Sequence, residues 1–238
     1  MLLKATLVLM IFAFSASAQA QPVAFIDETA FLDALAGLGY TPVHEGFEDD
    51  AAWGEVRGLV QSAVSSQGLT WTSNYLTGNI TTGGGAAITG QYGFYSIPHG
   101  SYGSPDPGTD CLIPGDCGDG FRGRAEGAML IAIGGWVDTN TPFAKLGLFL
   151  GDYPDNPVDF GETCTPPDSE NCSDNAIIGT TPEFFGVIDE VGFDRFEYRE
   201  LEGKLESDGA DKKLIFSDDF HFAIDGPERL FSDGFESK

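Results

Sequence analysis

The sequence predicts an all-β protein, a β-sandwich of jelly-roll type with one short helix near its start. Three observations carry this. Only one segment shows a helical period. About eight short runs rich in Val, Ile, Phe, Tyr, Trp and Thr have strand character. Turn formers are dense between them, with 32 Gly and 13 Pro in 238 residues. A hydrophobic content of 42% excludes a disordered chain.

The chain opens with Lys4, an apolar run from Ala5 to Phe14, and small residues ending Ala18-Gln19-Ala20. This predicts a secretory signal peptide over residues 1–20, cleaved after Ala20. The run is shorter than the roughly 18 apolar residues of a spanning helix, and no other stretch reaches that length. The expectation is an exported protein without a membrane span, with one domain over residues 21–226 and a tail over 227–238.

Asp27-Glu28-Thr29 precedes a segment in which Phe31, Leu32, Leu35 and Leu38 share one helical face. Gly37 and Gly39 mark its stop. The expected element is a short amphipathic helix packed as a cap against the end of a sheet.

Strands are then expected at Thr41–Glu48, Gly68–Ser73, Gly93–Ile97, Ala128–Val137, Ala144–Leu150, Phe184–Asp189, Arg195–Leu201 and Leu214–Ile224. The last alternates, with Leu214, Phe216, Phe220, Phe222 and Ile224 on one face. Asp218 falls on that face too, and an acid there needs a partner. Two long polar loops, Gly100–Arg124 and Gly151–Ile178, separate strands.

Each of those loops holds two cysteines, Cys111 with Cys117 and Cys164 with Cys172. An even number in an exported chain suggests disulfides, and four cysteines allow three pairings. The local pairing, Cys111–Cys117 and Cys164–Cys172, is expected because turn formers lie inside each short segment. Neither spacing matches usual zinc-ligand patterns.

Twelve Lys and Arg stand against 37 Asp and Glu, a net charge of −25. Such a surface repels nucleic acid and anionic lipid and favours hard cations.

The succession AFLDALAGLGYTPVHEGFEDD, GLTWTSN, GGWVDT, EFFGVID and LIFSDDFHFAI resembles exported bacterial β-sandwich proteins of the PEP-CTERM-associated type. The resemblance spans roughly Phe31 to Ile224 and implies fold and export more than activity. The chain has no PEP motif, terminal hydrophobic helix or basic tail, so sorting by that machinery is not expected. Its ending, LFSDGFES, resembles a tail on exported proteins of some gammaproteobacteria, which implies a Gram-negative source.

Phe47-Glu48-Asp49 and Ser217-Asp218-Asp219-Phe220 are also similar to the first and last strands of MAM-like and carbohydrate-binding jelly rolls. There a Glu of the opening strand and an Asp of the closing strand hold a structural Ca2+. The resemblance implies such a site at Glu48, Asp49, Asp218 and Asp219. The physics agrees, because acids at neighbouring strand ends repel unless a cation bridges them. Solvated acids are the alternative.

Exposed rings can stack on sugars. Among Trp53, Trp71, Trp136, Tyr92, Tyr95 and Tyr102, the two tryptophans Trp71 and Trp136 are expected in the core. Tyr95, His99 and Tyr102 are the expected ligand-facing residues. No G-x-S-x-G, H-E-x-x-H or P-loop is present. The leading expectation is therefore an exported, non-catalytic binding module with polysaccharide as its partner. A jelly-roll glycoside hydrolase or polysaccharide lyase is the alternative, and a structural extracellular matrix protein the second.

Overall fold

A computed structural model describes residues 21–59, 61, 63–74, 80–96, 120–139, 144–151, 157–160, 176–178, 182–200 and 215–225. Residues 1–20, the four cysteines, His99, Tyr102 and residues 227–238 lie outside the described residues. In chain order the first elements are β1 (Val23–Phe25), α1 (Glu28–Gly37), β2 (Val43–Glu45), α2 (Asp50–Trp53), β3 (Val64–Ser66) and β4 (Leu69–Ser73). Next come β5 (Ile80–Gly83), a 3-10 turn (Gly84–Ala86), β6 (Gly93–Ser96), β7 (Gly120–Ala125), β8 (Met129–Thr139) and β9 (Ala144–Leu150). The last are β10 (Ala176–Ile178), β11 (Glu183–Phe193), β12 (Arg195–Glu200) and β13 (Ile215–Asp225).

These strands form an all-β sandwich of two antiparallel sheets. Sheet A runs β1-β11-β8-β13-β6-β5, with β2 also paired to β13. Sheet B runs β10-β9-β12-β7-β4-β3. Between them lies an aromatic core that includes Phe47, Trp71, Phe94, Phe121, Phe196, Tyr198 and Phe220. Each such ring contributes about 1.5–3 kcal/mol by leaving water. Tyr198 of sheet B also donates its hydroxyl to the Phe185 carbonyl of sheet A at 2.8 Å.

The helix forms where the sequence predicts. Asp27 caps it, accepting from the Ala30 N–H at 2.8 Å. It packs on the outer face of sheet A, however, and not against a sheet end. Phe31 sits on Gly134 and Gly186, which pair across β8 and β11. A Cβ at Gly134 would meet the Phe31 ring at 3.2 Å, so the glycine pair forms the seat of the helix. Phe31 and Leu35 are fully buried there, whereas Leu38 is 38% exposed. The single predicted helix is joined by the four-residue α2, capped by Asp49.

Two further expectations change. The predicted loops Gly100–Arg124 and Gly151–Ile178 contain the strands β7 and β10 at their ends. The predicted single face of the last strand is broken. Asp218 pairs with Trp136 but His221 pairs with Gly134, so β13 carries one extra residue there. Asp219, at φ 48°, absorbs it. Phe220 and Phe222 face the inter-sheet core, as does Ile215 ahead of the bulge. Phe216 instead stands on the outer face against Tyr95, with ring centroids 6.0 Å apart. Leu214 lies outside the described residues.

Candidate functional site

The bulge collects polar residues on the outer face of sheet A. Asp218 is fully buried beneath the segment that follows the 3-10 turn. Its Oδ2 accepts from the Ile88 and Thr89 N–H groups at 2.7 and 3.0 Å, and its Oδ1 from the Asp219 N–H at 2.8 Å. Burial nevertheless pushes its carboxyl up to about 6, against the three amides that pull it back. Glu48 takes the other half of the same turn, accepting from the Gln91 and Tyr92 N–H groups at 2.6 and 2.8 Å.

The remaining predicted metal acids are held separately. Asp49 accepts from the Ala51 N–H as the cap of α2. Asp219 meets His44 Nε2 at 2.9 Å. His44 in turn lies 4.9 Å from the ring of His221, which contacts Glu28 at 2.8 Å. Glu48 and Asp218 thus share one turn, and both hold it through its backbone amides. Among the described residues, no three His, Cys, Asp or Glu gather into a metal-binding group.

Phe47, next to Glu48, has φ 59°, which costs a bulky residue steric strain. Its backbone is held on both sides, with its N–H donated to Glu45 Oε1 at 2.7 Å and its carbonyl taking Arg57 Nη1 at 2.9 Å. Arg57 also reaches the Glu48 carbonyl and Asp50, and its guanidinium lies 4.2 Å over the Tyr92 ring. Glu45 itself is buried, and desolvation raises its pKa.

Of the predicted ligand-facing residues, Tyr95 is described, while His99 and Tyr102 lie outside the described residues. Trp53 and Trp71 are core residues. Trp136 packs against Phe184 in the cluster beneath α1. Tyr92 is covered by Arg57, and Tyr95 leans on Phe216.

The outer face of sheet B is different. Arg124 of β7 lies directly between Thr70 of β4 and Arg195 of β12. In the next outward row, Arg122 lies between Thr72 and Glu197, and Glu197 pairs with Phe149 of β9. One row further, Arg199 lies between Gly120 and Gly147. Arg122, Arg124, Arg195 and Arg199 are four of the six arginines in the chain.

These rows frame a groove of about 240 Å³ lined by Thr70, Thr72, Arg122, Gly123, Arg124, Arg195 and Phe196. A second hollow of about 350 Å³ shares Arg124 and reaches Asp194 and Met129. The depth of the row is set from below. A Cβ at Gly123 would run into the Phe196 ring, so glycine lets β7 lie flat over that ring while its neighbours turn outward.

The acids of this face have defined partners. Asp194 bonds Arg124 at 3.2 Å and lies 3.9 Å from Arg195 Nε. Glu197 accepts from Asn74 at 2.9 Å, with Arg199 at 3.7 Å. Glu126 accepts from Ser65 and Thr70 at the β3–β4 side, and those hydroxyls lower its pKa. Arg199 is buried against the Phe149 ring, 4.1 Å away.

Sequence reasoning placed β7 in a loop and so missed this face. The signal was present as outward arginines in Gly-Phe-Arg-Gly-Arg-Ala and Arg-Phe-Glu-Tyr-Arg, each alternating with an inward ring or glycine. Comparison with protein-family models and with curated proteins finds no match to the chain.

Proposed function

We propose that this chain is an exported binding module with jelly-roll connectivity, and that the outer face of sheet B is its ligand face. Polysaccharide is the partner class. The observation that supports this most is the groove over β4, β7 and β12, a sheet surface lined by hydroxyls and guanidinium groups. The corresponding face of sheet A is taken up by α1 and by the turn that Asp218 and Glu48 hold. Among the described residues the groove lining is hydroxyls, guanidinium groups, a glycine and a ring, with Glu126 and Asp194 held beside it by Thr70 and Arg124. A structural Ca2+ at the Glu48 and Asp218 turn belongs to the same reading and is tested separately below.

The test is affinity electrophoresis of the mature chain through gels containing soluble polysaccharides, neutral and acidic. Retardation by at least one, without release of new reducing ends, is the expected result. Equal mobility in every gel would refute the binding reading, and new reducing ends would return it to an enzyme.

A further inference from the structure

We infer that the groove of sheet B recognises the anionic groups of an acidic polysaccharide, carboxylate or sulfate, through Arg124 and Arg195. This rests on the binding reading above and names the ligand chemistry of the same site.

The first argument is the placement of charge. The chain carries 12 cationic side chains against 37 acids, yet Arg124 and Arg195 stand side by side, both part-exposed, on the outward face of two paired strands. Solubility does not require that arrangement, and scattered cations would serve it better. The screening length at physiological salt is about 8 Å, so a group inside the groove responds to the nearest charges more than to the distant acidic surface.

The second argument is a cost. Arg124 and Arg195 stand directly opposite each other across β7 and β12. Like charges in that position destabilise a sheet. Asp194 lies beside both, but it closes only the Arg124 pair at hydrogen-bond distance. Arg195 Nε is buried with no hydrogen-bond partner. The side chain as a whole is part-exposed, so an anion meeting it there would offset the two facing positive charges.

The third argument is residue type. All the cations in the groove lining are arginines. Guanidinium groups bind carboxylate and sulfate oxygens in a planar, two-bonded fashion that lysine cannot reproduce. Outward residues along β7 are about 7 Å apart and those across β7 and β12 about 5 Å. The lining therefore offers a row of anion contacts in place of a single pocket, which suits a polymer with repeated charges.

The test uses the mature chain with three probes: polygalacturonate, dextran sulfate and neutral dextran. Binding is read by titration calorimetry for wild type, Arg124→Gln, Arg195→Gln and Arg124→Lys. The expected result is binding to at least one acidic polymer and none to dextran. Each Gln variant should lose about tenfold in affinity, while Arg124→Lys loses less. Preference between polygalacturonate and dextran sulfate assigns the carboxylate or the sulfate. Unchanged melting temperatures in the three variants keep the comparison free of folding effects. A variant that melts lower is replaced by Arg195→Lys, which keeps the charge at the part-exposed position.

Binding to dextran alone would overturn the inference while leaving the binding reading intact. Binding to an acidic polymer that ignores all the arginine substitutions would overturn it as well. Binding to duplex DNA with the same arginine dependence would reassign the groove away from polysaccharide. Absence of binding to any polysaccharide removes the parent reading instead.

Discussion

Asp218 and Glu48 grip the same turn from its two sides, Asp218 through the amides of Ile88 and Thr89 and Glu48 through those of Gln91 and Tyr92. One carboxylate comes from the middle strand of sheet A and the other from the segment after β2. Four amides that a solvent-facing turn would give to water are committed to two charged acceptors. Hydrogen bonds to charged groups contribute about 1.5–3 kcal/mol each, so this turn is a strong fastening point between the ends of the domain.

Gly90 sits at the centre of that turn with φ 61°. A Cβ there would collide with Glu48 Oε1. Gly90→Ala should therefore destabilise the protein by about 2 kcal/mol through the backbone penalty and the displaced carboxylate. Gly85→Ala, where a Cβ meets nothing within 4 Å, is the control and should cost far less. Urea unfolding of both variants decides this. Equal losses would mean that Glu48 does not set the conformation of the turn.

Asp218 also makes stability depend on pH. Its folded pKa, about 6, lies above the ordinary value of 3.8. The folded state thus favours the protonated form more than the unfolded state does. Its contribution is fully present below the ordinary value and is lost as pH rises through about 6. The difference corresponds to about 2–3 kcal/mol. Asp218→Asn has no such titration, so the stability of wild type relative to the variant should fall across that window as pH increases. Denaturant midpoints measured through the window would show it. A constant difference would mean that the Asp218 pKa is the same folded and unfolded.

Calcium gives a third prediction. An ion bound at the Glu48 and Asp218 turn in the folded state alone stabilises by mass action, about 2.7 kcal/mol at 100 times its Kd. Chelation should then lower the melting temperature by several degrees, and Glu48→Gln should remove most of the calcium response. A melting temperature indifferent to both calcium and chelator would leave the backbone amides as the whole explanation for these acids.

The sandwich was legible because inward rings recur on short, turn-bounded runs. Ala144–Leu150 was placed to the residue, and α1 was legible from Phe31, Leu35 and the Asp27 cap. The short strands β1, β3 and β5 lie under no expected strand, and β7 and the bulge escaped for identifiable reasons. β7 has glycine where a strand usually carries a branched residue, and the need for Gly123 is visible only once Phe196 lies beneath it. The bulge at Asp219 shifts β13 by one residue, so a strict period of two put Phe216 on the wrong side. Asp218 was expected to need a partner, and Glu48 was expected beside it across neighbouring strands. Their partners are amides of a turn that no side-chain pattern announces.

The helix seated on Gly134 and Gly186 gives the molecule a back and a front. β1 is the edge strand of sheet A, and the chain enters the described fold at Gln21 immediately before it. The arginine rows occupy the opposite exterior, on sheet B. Substitutions under the helix and substitutions among the arginines therefore act on different layers, and each can be altered without touching the other.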